Sequence, residues 1–161
     1  MKRISCLKGS LFLLLFPLFV GCGEVRLIGA YDSKVDESIQ AIAKEASTLF
    51  VKIDKDIDDH TDWSYPNFKN DYVQMEAELE TLKIRVNGLP KYGIISKQID
   101  DLSRAIQAVE QDHKTGFAAP GASITDLKRA IKVDQTGLEV SLSAMLTLQE
   151  GLKRTKADKS K

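Results

Sequence analysis

The sequence predicts an all-α protein: an antiparallel, up-down-up-down four-helix bundle, preceded by a signal peptide and a short tether. Three observations predict it. Apolar residues recur in alternating steps of three and four along four long stretches. Helix start and stop residues bracket those stretches. No stretch alternates apolar and polar residues with a two-residue period, so no sheet is expected. The 161 residues suit one domain, and an apolar fraction of 43% is too high for a disordered chain.

The first stripe is Val35, Ile39, Ile42, Ala46, Leu49, Ile53, Ile57, and the second is Phe68, Tyr72, Met75, Leu79, Leu82, Val86, Leu89. Ile95, Ile99, Leu102, Ile106 and Val109 form the third. The fourth runs Ile124, Leu127, Ile131, skips Asp134, and resumes with Leu138, Leu142, Met145, Leu148, Leu152. Steps of three and four place each set on one face of a helix. Ser33-x-x-Asp36 and Ser123-x-x-Asp126 read as acidic capping boxes. Pro66 suits the first turn of the second helix, and Asn87-Gly88-Leu89-Pro90 ends it, with Gly88 expected to supply the left-handed residue. Gly116 and Pro120-Gly121 bound the last loop. The fourth helix is expected over 123–155, with Gly137 as a point where it can kink or break. Asp134 fills the gap in the fourth stripe and either sets register in the seam or turns outward. Short connections favour antiparallel neighbours.

The organisation follows: residues 1–21 a signal peptide, 22–32 a tether, 33–155 the bundle, and 156–161 a basic disordered tail. Lys2, Arg3 and Lys8 precede the apolar run from Leu11 to Val20, which is too short for a bilayer span of ~20 residues. That is the arrangement of a secretory signal. Gly21 is the small residue expected before a cleavage site, and Cys22 follows it.

Leu18-Phe19-Val20-Gly21-Cys22 resembles the lipobox of bacterial lipoproteins. Phe19 stands where the family usually has Leu, keeping a large apolar side chain. The resemblance implies lipidation of the Cys22 thiol, cleavage just before it, and acylation of the new amino terminus. Palmitate-type acyl chains would then anchor the protein to a membrane, each buried methylene contributing ~0.8 kcal/mol. Gly23, where the family uses Asp to retain a lipoprotein at the inner membrane, implies the outer membrane facing the periplasm. Cys6 lies inside the signal and is the only other cysteine, so the processed chain has no intrachain disulfide. Gly29-Ala-Tyr-Asp32 and Leu82-Lys-Ile-Arg-Val86 are similar to segments of small helical bacterial proteins and imply no activity.

The charges exclude some functions. Lys+Arg and Asp+Glu both number 23, without the basic excess that nucleic acid requires. Asp54-Lys-Asp56-Ile-Asp58-Asp59 opens like a calcium loop, but Asp59 and Tyr65 stand where the loop needs Gly and Glu. Ile53 and Ile57 carry the first stripe straight through it, so it reads as a solvated acidic helix end. Bundle di-metal sites use two Glu-x-x-His pairs; Glu110-Gln-Asp-His113 supplies one, and Ile57 stands three residues before His60. His113 falls four residues after Val109 and reads as a packed seam histidine. No nucleophile elbow, phosphate loop, zinc-protease motif or c-type haem motif occurs.

The expected function is therefore a non-enzymatic one, with no catalytic residue, metal or cofactor: a membrane-anchored structural or protein-interaction module of the cell envelope. The alternative is a periplasmic ligand-binding, inhibitory or immunity-type protein that uses the aromatic loop 60–68. Trp63, Tyr65 and Phe68, with Phe117 from the loop Thr115 to Ala122, are the candidate partner contacts. Of the two readings of these aromatics, closing the end of the core as a lid is preferred to a contact patch.

Overall fold

A computed structural model describes residues 28–158. Within them the chain forms α1 (Ser33–Asp58), α2 (Tyr65–Asn87), α3 (Gly93–Lys114) and α4 (Ile124–Asp158), and no strand. Backbones approach in the pairs α1–α2, α2–α3, α3–α4 and α1–α4, and neither diagonal pair does so. That is a four-cornered antiparallel bundle, as the stripes require. The signal peptide, Cys22, the first part of the tether and residues 159–161 lie outside the described residues.

Every member of the first and third stripes is buried, as is the second from Phe68 to Val86. Burying an Ile or Leu side chain contributes roughly 1.5–3 kcal/mol, so these faces dominate the stability of the fold. Ion pairs then pin the corners. Lys52 meets Asp71 at 2.6 Å across α1–α2, and Lys83 meets Asp100 at 2.7 Å across α2–α3. Lys128 of α4 bridges Asp54 and Asp58 at 3.1 and 2.6 Å, which occupies part of the acidic end of α1.

Several local expectations are corrected. Asp32, not Ser33, caps α1: its carboxylate accepts the backbone N–H groups of Lys34 and Val35 at 2.9 and 3.1 Å. Asp36 turns instead to the Tyr31 hydroxyl and to Gln40. Gly88 has φ −82°, so the left-handed residue of that loop is Lys91, at φ +66°. The acidic last turn of α1 is closed by a cap. His60 adopts φ +54°, and the N–H groups of His60 and Thr61 close on the carbonyls of Ile57 and Asp56. This is the left-handed cap that satisfies orphaned carbonyls.

Helix α4 passes Gly137 without interruption and continues to Asp158, so residues 156–158 are helical rather than a loose tail. Its buried face is Leu127, Ile131, Leu138, Leu142, Met145 and Gln149. Ile124 is exposed, and Leu148 and Leu152 only flank the core. The Ser123 and Asp126 box forms as expected, with the Asp126 N–H donating to Oγ of Ser123 at 3.2 Å.

The end of the tether is not free. Gly29 donates its N–H to the Lys91 carbonyl at 2.9 Å, and the Tyr92 hydroxyl donates to the Ala30 carbonyl. Gly29 presses so closely on the Tyr92 ring that a Cβ would overlap it. Residues 29–32 are thus a strap across the α2–α3 turn.

Candidate functional site

The four predicted contact residues gather at the opposite end of the bundle, around His113. Helix α3 places it there, because the step from Val109 to His113 continues the buried stripe. The helix then closes with a Schellman turn: Gly116, at φ +88°, donates to the His113 carbonyl at 3.0 Å, and Phe117 donates to that of Asp112 at 2.7 Å. The turn folds Phe117 back, so that its ring stacks on the imidazole at 4.7 Å and 26°. Phe117 itself takes φ +57°, a conformation that costs an ordinary residue about 1–2 kcal/mol. Burial of its ring against His113 offsets that cost.

Helix α2 supplies the rest of the cage. Phe68 lies 5.2 Å from the imidazole, Tyr72 5.8 Å and Tyr65 5.9 Å, the last edge-on at 85°. The loop Asp59 to Ser64 closes over the top. Asp62 orders it by accepting the Ser64 N–H at 3.0 Å and, through its carbonyl, the Asn67 amide at 2.8 Å.

His113 is 2% exposed, and both ring nitrogens are used. Nε2 lies 2.8 Å from the Trp63 carbonyl, and Nδ1 lies 3.0 Å from the Tyr72 hydroxyl. A carbonyl only accepts, so Nε2 carries the proton and Tyr72 donates to Nδ1. This assigns the neutral Nε2–H tautomer. Burial holds the imidazole below its ordinary pKa, against the pull of the Trp63 carbonyl. Burial likewise drives the Tyr72 hydroxyl far above the ordinary tyrosine range. With both nitrogens committed, His113 cannot bind a metal without breaking the lid.

Glu110 does not share a site with His113. Its carboxylate accepts the Tyr65 hydroxyl at 2.6 Å and pairs with Lys114 at 3.0 Å. Burial opposes its charge, but the Tyr65 hydrogen bond and Lys114 outweigh burial and hold its pKa down. The Lys114 ammonium also sits 4.9 Å from the Tyr65 ring centre. Asp134, half-buried in the α4 seam, is pushed up to about 6 by burial and by the charge of Asp112.

Sequence reasoning named Trp63, Tyr65, Phe68 and Phe117 as contacts, and the structure divides them. Phe68 and Phe117 are buried lid residues, which corrects their assignment to a contact surface. Tyr65 and Phe68 belong to α2 rather than to a loop. Trp63 and Tyr65 remain half-exposed and line an open cleft between Thr61–Pro66 and His113–Gly116. The spacing places Tyr72 in the plain core; only its register with His113 reveals its hydroxyl's role. The site offers an aromatic, weakly polar contact surface on a rigid support. No protein-family model, curated protein or solved structure matches this chain.

Proposed function

We propose that this chain is a bacterial lipoprotein, held to a membrane by acyl chains on Cys22, whose bundle serves as a non-enzymatic structural or protein-interaction module of the cell envelope. The observation that carries the reading is Leu18-Phe19-Val20-Gly21-Cys22 after a basic and apolar leader. Gly23 favours the outer membrane, facing the periplasm, by the family's sorting pattern. The fold is compatible with display. The tether joins one end of the bundle, and the half-exposed Trp63 and Tyr65 occupy the other. Helix α1, with 26 residues, separates the ends by about 40 Å at 1.5 Å per residue.

Replacing Cys22 with Ser tests the anchor. The wild-type chain should fractionate with membranes, incorporate labelled palmitate and begin at residue 22 by mass spectrometry. The variant should lose the label and leave the membrane. An unmodified Cys22 thiol on a chain that retains residues 1–21 would overturn the reading.

A second reading rests on the open cleft beside Trp63, Tyr65 and Lys114: a periplasmic ligand-binding or inhibitory protein. It predicts that a ligand or protein partner shifts Trp63 fluorescence. Trp63 is the chain's single tryptophan, so the signal is unambiguous.

A further inference from the structure

The two ends of the bundle differ in charge. The end beside the aromatic lid carries Asp54, Asp56, Asp58, Asp59, Asp62 and Asp126, of which Lys128 pairs with Asp54 and Asp58 and Arg129 with Asp126, leaving an acidic excess at Asp56, Asp59 and Asp62. The strap end presents exposed Lys91, Arg154 and Lys156, none of them in an ion pair among the described residues. Its acids are mostly paired or buried: Asp32 is held by Arg85 and Glu37 by Lys34, each at 2.7 Å, Glu150 lies 3.7 Å from Lys153, and Asp36 is buried against the Tyr31 hydroxyl. Asp158 stands exposed at the end of α4, and the sequence beyond it adds Lys159 and Lys161.

Apolar groups accompany these cations. Ile94, in the first turn of α3, is 50% exposed, and Pro90 is exposed in the turn before it. The strap fixes the geometry. It binds the α2–α3 turn through Gly29 and Ala30, and Lys156 lies 5.5 Å from the Tyr31 ring centre. The α2–α3 turn, the end of α4 and the entry of the chain therefore share one end. Cys22 is six residues before Ile28, within about 20 Å of that end at full extension.

We infer that the strap end is a lipid-facing surface. Lys91, Arg154 and Lys156 rest on the phosphodiester anions of acidic lipids, and Pro90 and Ile94 touch the headgroup boundary. Cations around a small apolar tip suit that interface, because the charges are drawn to anionic headgroups while the apolar atoms leave water. The opposite, acidic end is repelled by the same surface. This deepens the lipoprotein reading and rests on it for its biological setting: the covalent anchor supplies attachment, and the basic end sets orientation, holding the Trp63 cleft away from the bilayer.

The test uses the chain from residue 22 onward with Cys22→Ser, so that its outcome is independent of acylation. Among the described residues the buried apolar core runs from Val35 to Met145, with Leu146, Leu148 and Leu152 packed against it, and all of these are retained. Sedimentation with vesicles of phosphatidylcholine containing phosphatidylglycerol is compared with pure phosphatidylcholine at low salt. Binding is expected to the anionic vesicles alone. The triple variant Lys91→Glu, Arg154→Glu, Lys156→Glu should weaken it by roughly tenfold or more, since each cation near such a surface contributes about fivefold. The control triple Lys44→Glu, Lys55→Glu, Lys132→Glu carries the same change in net charge and should bind like the parent. The milder triple Lys91→Gln, Arg154→Gln, Lys156→Gln, checked for helicity by circular dichroism, guards against misfolding and should also lose binding. Absence of binding to anionic vesicles, or equal loss in the first and control triples, would overturn the inference while leaving the Cys22 experiment untouched.

Discussion

Arg85 grips Asp32 with two hydrogen bonds, Nε to Oδ1 at 3.0 Å and Nη2 to Oδ2 at 2.7 Å, while the same carboxylate caps α1. One side chain thus starts the first helix and ties it to the end of the second. The Arg85 hydrogen bond is the main cause that holds the Asp32 pKa below its ordinary value. A depressed carboxylate contributes stability that is complete above the unfolded pKa, near ~4, and is lost as pH falls through the folded one. Asp32→Ala should cost about 1 kcal/mol in urea unfolding at pH 7, the usual worth of a lost cap. The deficit should shrink as pH falls below about 4 and through the depressed folded pKa, as the Asp32 carboxyl of the parent takes up its proton. Arg85→Ala should cost less, because the cap survives.

His113 and Asp134 should pull the pH dependence in opposite directions. The His113 pKa is lowered by burial, so its contribution is complete above about pH 6.5 and declines as pH falls below that. Asp134 is raised to about 6, so the folded state takes up a proton first and gains stability as pH falls from 6 toward 4. The two limbs overlap in pH and oppose each other. Asp134→Asn should raise stability at pH 7 by on the order of 1 kcal/mol, after allowance for partial solvation, and should expose a decline below pH 6.5. His113→Phe should cost about 1–3 kcal/mol at pH 7, because the Trp63 carbonyl and Tyr72 hydroxyl lose their partner. It should also leave a chain that becomes more stable on acidification to pH 5. Thermal melts between pH 4.5 and 8 would show both.

The helices were legible because burying one face leaves a period in the sequence, and each of the first three stripes obeys it. What escaped has a physical reason. A cap is decided by backbone direction, so Asp32 and Ser33 look equally able until the helix axis is known. Left-handed residues are usually glycine, yet His60, Lys91 and Phe117 take that role because the adjoining turns demand it. The aromatic cage was half visible. The Val109-to-His113 step and Gly116 signal a capped, buried histidine, but the Tyr72 and Trp63 partners come from another helix and a loop. In α4, apolar identity pointed to Leu148, whereas the phase of Leu138, Leu142 and Met145 leads to Gln149.

Gln149 is 1% exposed, and neither its amide nitrogen nor its oxygen has a hydrogen-bond partner among the described residues. A buried, unpartnered amide costs roughly 1–3 kcal/mol. Gln149→Met keeps the unbranched shape and removes both polar atoms. It should raise the urea midpoint by an amount equivalent to about 1–3 kcal/mol, with the slope of the transition unchanged. An unchanged or lowered midpoint would mean that the amide is satisfied in solution.

Three surface positions carry backbone cost without a packing return. His60 and Lys91 hold left-handed φ values of +54° and +66°, and both side chains are exposed. Glycine adopts that conformation freely, whereas a residue with a Cβ pays about 1–2 kcal/mol. His60→Gly and Lys91→Gly should each stabilise the fold by about 0.5–1 kcal/mol, the larger unfolded-state entropy of glycine taking back part of the gain. Gly137 is the reverse case. It lies inside α4 with open space where a Cβ would point, so Gly137→Ala should add about 0.5–1 kcal/mol. The three sites are separate in the fold, so their effects should sum in the triple variant to within about 0.5 kcal/mol. Chemical denaturation of the singles and the triple checks this. A clear shortfall for His60→Gly alone would show that its imidazole, and not only its backbone, holds the end of α1.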